Sequence, residues 1–175
     1  MPNANMVPTM LNCRTLFLSD VHLGCKDCQA DYLLAFLQRS QADTIYLLGD
    51  IVDLWAMRKQ VHWKAGQNTI VRCLLDKAEQ GTEIVYIPGN HDEALRLYAG
   101  KSFGNIRIAL RASHTTAQGK KLLLLHGDEF DKEVNFGRLH AWLGDTLYDL
   151  LLFLNRWYNR LRRLTGGGYF SLAAY

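Results

Sequence analysis

Short apolar runs alternate along this chain with longer stretches whose apolar residues recur at helical spacing. The runs are 14–19, 44–48, 83–87 and 121–125. Near-continuous apolar runs of this length suit strands buried on both faces, so each is predicted to be a core strand. Between them, Ala30–Gln41 carries Leu33, Leu34 and Leu37 on one side, and Asn68–Gln80 carries Ile70, Val71, Leu74, Leu75 and Ala78. Helices alternating with buried strands predict an α/β fold, a mostly parallel sheet covered by helices. From Leu139 onward Trp142, Leu143, Leu147, Leu150, Leu151, Leu154, Trp157, Tyr158, Leu161 and Leu164 recur in steps of one, three and four. That pattern predicts one long amphipathic helix.

Polar residues follow every predicted strand. The first ends in Asp20-Val-His22, the second in Gly49-Asp50-Ile-Val-Asp53, the third in Gly89-Asn90-His91-Asp92 and the fourth in His126-Gly127-Asp128. In an open α/β sheet the ligand crevice lies outside the carboxyl ends of the strands, so the four clusters are expected to converge. Their carboxylates, imidazoles and amide oxygen are donors for divalent Mn, Fe or Zn, and no cysteine joins them. Asp20 and His22, two apart just past a strand end, can point at one ion; Asp50, with two oxygens, can bridge two. A pair of such ions clamps a phosphoryl group and activates water, which points to hydrolysis of a phosphate ester or anhydride. Gly49 and Gly89 leave room where the backbone must turn beside the ions.

In this order the four clusters resemble the calcineurin-like metallophosphoesterase superfamily over residues 14–133. Phe17-Leu-Ser-Asp-Val-His-Leu-Gly24, Tyr46-Leu-Leu-Gly-Asp50 with Trp55 after it, and His126-Gly-Asp-Glu-Phe-Asp131 are further similar to the branch containing the UDP-2,3-diacylglucosamine diphosphatases of the lipid A pathway. The resemblance implies a metallophosphoesterase-type β-sheet core flanked by helices (residues 1–133) with a helical lid in the same domain (residues 134–175). It implies two divalent cations, Mn²⁺ foremost, with Asp20 and His22 on the first, Asp50 bridging, and Asn90 and His126 on the second. His91 would face the phosphate as an electrostatic stabiliser or acid, with Asp92 orienting its imidazole, while Asp53 and Asp128 hold the ligand histidines in one tautomer. The implied reaction is hydrolysis of the pyrophosphate of a lipid-linked nucleotide sugar, giving UMP and an acylated sugar 1-phosphate.

Two departures keep other readings open. The superfamily normally adds a later Gly-His-x-His, and no histidine follows His140 here, so either the chain is truncated or the missing ligands come from water or another chain, and the 175-residue chain is expected to bind its cations weakly and to hydrolyse slowly. His91 stands where the branch usually carries arginine, and the two are not interchangeable at a phosphate. A soluble nucleotide or phosphodiester hydrolase therefore remains an alternative, as does an impaired chain that acts through membrane or partner binding.

Charge sharpens the division between core and carboxyl-terminal segment. The 175 residues hold 20 Lys+Arg and 17 Asp+Glu, yet residues 1–133 are balanced at fifteen of each sign. Arg138, Arg156, Arg160, Arg162 and Arg163 face only Asp145 and Asp149 afterwards. A nucleic-acid binder would spread its excess over a whole face, so no nucleic-acid partner is expected. Trp157 and Tyr158 among Arg156, Arg160, Arg162 and Arg163 suit peripheral contact with an anionic membrane surface, and core packing of the same stripe is the other reading. No run is long and apolar enough to span a bilayer, and no charged segment precedes an apolar one near Met1, so a cytoplasmic protein, at most peripheral on the inner membrane face, is expected. Cys13, Cys25, Cys28 and Cys73 are expected as reduced thiols, since Cys25-x-x-Cys28 lacks the second pair a zinc site needs, with a redox or metal role for that pair as the other reading. His62, His114 and His140 match no motif and are expected in surface or packing roles. Gly166–Gly168 reads as a hinge, with no strand before it and no Lys-Ser/Thr after it.

Overall fold

In the computed structural model the chain runs β1 (Leu11–Leu18), α1 (Ala30–Gln38), β2 (Ser40–Leu48), α2 (Leu54–Lys59), α3 (Ala65–Glu79), β3 (Glu83–Ile87), a 3-10 turn (Glu93–Tyr98), β4 (Ser102–Phe103), β5 (Ile106–Ile108), β6 (Ala112–Thr115), β7 (Lys121–Leu124) and α4 (Asp128–Asp131). The structure describes residues 10–131 and 152–160. It divides into two compact units, Met1–Phe130 and Asp131–Tyr175.

Among the described residues the main sheet has the order β1-β2-β3-β5-β4. Its first four members in that order run parallel and β4 is antiparallel at the edge. Phe17 is in register with Tyr46, and Tyr46 with Val85. The apolar runs of β2 and β3 are continuous because both faces of the sheet are covered. Ile45, Leu47, Ile84 and Tyr86 turn to a core shared with Leu37 of α1 and Ile70, Leu74 and Ala78 of α3. Tyr46, Val85 and Ile87, one residue out of phase, pack with Leu124. This is the period-2 alternation of a strand, each face with its own apolar partner. In α3 the buried residues Gln67, Ile70, Leu74 and Ala78 fall at helical spacing along the side that meets the sheet.

The run at 121–125 departs from expectation. It is β7, and it joins the antiparallel two-stranded ribbon β6-β7 rather than the parallel sheet. The ribbon's Ala112, Leu122 and Leu124 cover the face of the main sheet opposite the helices, so the apolar character of this run reflects packing between two sheets. The helix expected over Ala30–Gln41 stops at Gln38, because Ser40 already pairs with Leu11 and its hydroxyl bonds Phe36 O at 2.7 Å.

In the second unit, residues 152–160 are helical. The rest of the helix predicted from Leu139 lies outside the described residues. No helix among the described residues is long and apolar enough to cross a membrane.

Candidate metal centre

The site begins with backbone strain. Among the described residues only three that are not glycine have φ in the left-handed region: Asp20 at 55°, His22 at 52° and Asp50 at 55°. Such a conformation costs on the order of 1 kcal/mol per residue, and Asp and His tolerate it better than most. The chain holds it because pairing between the β1 and β2 extensions continues through the kink. Asp20 N–H donates to Gly49 O at 3.2 Å, His22 N–H to Asp50 O at 2.9 Å and Leu23 N–H to Ile51 O at 2.9 Å. Two residues on one side thus span one on the other, a bulge that turns Asp20, His22 and Asp50 toward one point.

Asp92 locks the second half of this arrangement. Fully buried, its carboxylate accepts from Ile51 N–H (2.9 Å), Val52 N–H (3.3 Å), Gly89 N–H (2.6 Å) and the Tyr86 hydroxyl. Burial, followed by the Asp92 charge and hydrogen bond, pushes the Tyr86 phenol far above its ordinary range, so it remains a donor. This corrects the expectation that Asp92 orients His91. A residue adjacent on a tight turn points away from its neighbour, and Asp92 fastens the β2 and β3 loops together.

The carboxylate beside His91 is Asp53. Its Oδ1 lies 2.9 Å from His91 Nδ1, and its Oδ2 lies 3.0 Å from His22 Nδ1. It also caps α2 by accepting from Ala56 N–H at 2.8 Å. Burial pushes the Asp53 carboxyl up, but the hydrogen bonds to His22, His91 and Ala56 outweigh it and hold the group well below the usual carboxylate range. For His91, burial works against the charged imidazolium, and the bond to Asp53 with the charges of Asp53, Asp50 and Asp92 overcomes it, so its pKa is raised. The His91 ring stands edge-on to His22 at a centroid distance of 4.7 Å and lies against Trp55 at 4.7 Å.

Asp50 Oδ2 lies between two imidazoles, 4.0 Å from His22 Nε2 and 3.8 Å from His126 Nε2. Each of those rings has its other nitrogen committed to a carboxylate, His22 to Asp53 and His126 Nδ1 to Asp128 at 3.2 Å. A ligand histidine is oriented in this way, one nitrogen anchored and the other left with its lone pair toward the ion. Ligand atoms of Asp20, His22 and Asp50 also lie within 4.8 Å of one another. The donors Asp20, His22 and Asp50 therefore fit a divalent cation, and the other side of Asp50 Oδ2 faces His126. His22, Asp53 and His91 form a second group of that size, but their mutual hydrogen bonds already occupy it. Gly49 and Gly89 make the cradle: a Cβ on Gly49 would run into the His126 ring, and one on Gly89 into Asp50 Oδ1 and within 2.8 Å of His126 Cε1.

The model of the calcineurin-like phosphoesterase family matches residues 13–170. This chain belongs to that family. It is 28% identical over 155 residues to a UDP-2,3-diacylglucosamine hydrolase of Psychromonas ingrahamii, covering 81% of this chain and 58% of that protein. A protein of the same name from Porphyromonas gingivalis is 32% identical over 121 residues, 65% of this chain and 45% of that one. The corresponding figures for Pseudomonas aeruginosa are 30% over 141 residues, 75% and 55%. The chain spans about half the length of the curated relatives it matches.

In this member of the family the structure brings together Asp20, His22, Asp50, Asp53, His91 and His126, with Asn90 half-buried in the turn between Gly89 and His91. Sequence reasoning missed Arg96, whose Nη2 donates to both oxygens of Asp128 at 2.8 and 2.7 Å. In the second unit Trp157 and Tyr158 are 58% and 41% exposed, and Arg156 and Arg160 are exposed on the same helix. Arg162 and Arg163 lie outside the described residues. All four cysteines are free thiols. Burial pushes Cys25, Cys28 and Cys73 up, away from the reactive thiolate.

Proposed function

We propose that this chain hydrolyses the phosphoanhydride of a lipid-linked nucleotide sugar resembling UDP-2,3-diacylglucosamine, releasing UMP and an acylated sugar 1-phosphate. The observation that carries the reading is the position of Asp50 Oδ2 between two anchored imidazoles. Asp20, His22 and Asp50 would hold one cation, and Asp50, Asn90 and His126 the other. Mn²⁺ is the first choice, with Fe and Zn compatible with the same donors. Bound there, the pair supplies Lewis acidity and lowers the pKa of water at the reacting phosphorus.

The protein's own groups do the rest. His91, with Nδ1 fixed by Asp53, presents positive charge and its remaining N–H to a phosphoryl oxygen. Asp53 orients that ring and the His22 ring through separate oxygens, so the phosphate-facing group and a cation ligand share one anchor. Asp92 and the two glycines hold the loops at the spacing the donors require. On this reading the helix at 152–160 contacts lipid through Trp157 and Tyr158, with Arg156 and Arg160 meeting anionic headgroups and Arg162 and Arg163 adding positive charge by their sequence position, and the work is done at the inner membrane face.

His91 supports a second reading. An imidazole that can pass a proton to a leaving alkoxide serves a soluble phosphodiester as well as an anhydride. Release of UMP from the acylated nucleotide, measured beside a chromogenic phosphodiester with and without Mn²⁺, separates the two. The proposal expects Mn²⁺-dependent UMP release that exceeds phosphodiester cleavage and vanishes in Asp50→Asn. Preference for the phosphodiester overturns it in favour of the second reading.

A further inference from the structure

We infer that Arg96 is the positioning residue for His126: by clamping Asp128, it fixes the imidazole with Nε2 toward Asp50. Arg96 sits in the 3-10 turn Glu93–Tyr98 that starts directly after Asp92, so the loop carrying Asn90 and His91 also delivers this guanidinium to the end of β7. Its Nη2 donates to Asp128 Oδ1 at 2.8 Å, to Asp128 Oδ2 at 2.7 Å and to Pro88 O at 3.3 Å. Asp128 is buried, and its Oδ1 also faces His126 Nδ1 at 3.2 Å.

A buried carboxylate needs charged or hydrogen-bonding partners to keep its place. With Arg96 Nη2 against both Asp128 oxygens, the carboxylate is restrained, and the acceptor offered to His126 keeps one direction. That acceptor selects the Nδ1–H tautomer, which leaves the Nε2 lone pair toward Asp50. Freed of Arg96, the carboxylate turns toward other donors, and the imidazole divides between tautomers, one of which points a proton at the place a cation requires a lone pair. Arg96 also lines an open pocket of about 590 Å³, together with Pro88, Arg107, Ile108, Arg111 and Glu129. A substitute cation can therefore reach the gap that truncation of Arg96 leaves.

The inference rests on His126 being a cation ligand, and its test has two readouts so that the failures separate. Heteronuclear NMR of the histidine side chains in the metal-free 175-residue chain is expected to show His126 as the Nδ1–H tautomer, and as a mixture in Arg96→Ala. Calorimetric titration with Mn²⁺ is expected to show the affinity of one site falling about 10- to 100-fold in the variant while the other is unchanged. Millimolar guanidinium is expected to restore both properties where the same concentration of potassium does not. If Arg96→Ala does not fold, Arg96→Gln, which keeps a donor without the charge, is read in the same way. An unchanged tautomer with unchanged affinities overturns the role of Arg96. A wild-type chain that takes up no Mn²⁺ overturns the metal reading alone, and the tautomer then still decides the question of Arg96.

Discussion

Asp53 Oδ1 lies 2.9 Å from His91 Nδ1, while the other oxygen of the same carboxylate takes His22 Nδ1 at 3.0 Å. One side chain thus orients both a cation ligand and the group that faces the phosphate. Asp53→Asn keeps the shape but offers an amide where an acceptor is required, so both rings lose their tautomer control together. Activity is expected to fall about 100-fold or more, with Mn²⁺ affinity falling too; kinetics and calorimetry on the variant check this.

The same pair gives the metal-free chain a defined pH dependence. Asp53 is depressed, so its contribution to stability is present above its unfolded pKa of about 3.9 and is lost as pH falls toward the folded value. His91 is raised, so its contribution is complete below about 6.5 and is lost as pH climbs through the folded value. Thermal unfolding in chelator is expected to show the pair stabilising most between about pH 4 and 6.5. In Asp53→Asn the decline on both sides should flatten.

Gly49 and Gly89 test the cradle by different routes. Gly49 has φ of 77°, so alanine there adds backbone strain to the clash with His126. Gly89 carries only the clash, with Asp50 Oδ1 and the His126 ring. Each Gly→Ala change is expected to cost about 1–3 kcal/mol in denaturant unfolding and to weaken Mn²⁺ binding, because the displaced atoms are ligand side chains.

Tyr86→Phe separates stability from metal binding. It removes one donor from the buried Asp92 carboxylate and leaves the backbone N–H bonds from Ile51 and Gly89 in place. A loss of about 2 kcal/mol is expected by chemical denaturation, with cation affinity within a few-fold of wild type.

Much of this arrangement could be read from the chain, and the failures have physical causes. The strand Glu83–Ile87 matches its predicted bounds, because the apolar run from Ile84 to Ile87, with Gly81 shortly before it and Pro88 directly after, admits little else. The strand at 121–124 was legible as a strand but not as part of a ribbon, since its partner Ala112–Thr115 contains Ser, His and Thr and shows half-exposed alternation. His114 in that partner packs edge-on against Phe17 and Tyr46, which polarity alone does not suggest. The histidines and carboxylates of the site announced themselves through strand-end spacing, but their pairing did not. His91 bonds a residue 38 positions away rather than its neighbour. Arg96 left no signal: within Glu-Ala-Leu-Arg-Leu-Tyr it looks like an ordinary solvated side chain, and only the approach of β7 gives it Asp128.

The helix at 152–160 makes its own test. Trp157 is exposed beside Arg156 and Arg160, so its fluorescence is expected to shift blue with anionic vesicles, to revert with added salt and to stay unchanged with neutral ones. Replacing the arginines at 156, 160, 162 and 163 by glutamine should abolish the shift. Absence of any response in the wild-type chain contradicts the lipid contact.

The proposed chemistry depends on two cations sharing Asp50. Electron paramagnetic resonance of the Mn²⁺-loaded chain tests this most directly, because ions bridged by one carboxylate are exchange-coupled and isolated ions are not. The expected result is a coupled two-manganese spectrum in the wild type that collapses to the uncoupled form in Asp50→Asn. Only isolated Mn²⁺ in the wild type at saturating metal, or a coupled signal that survives Asp50→Asn, contradicts a centre bridged by Asp50.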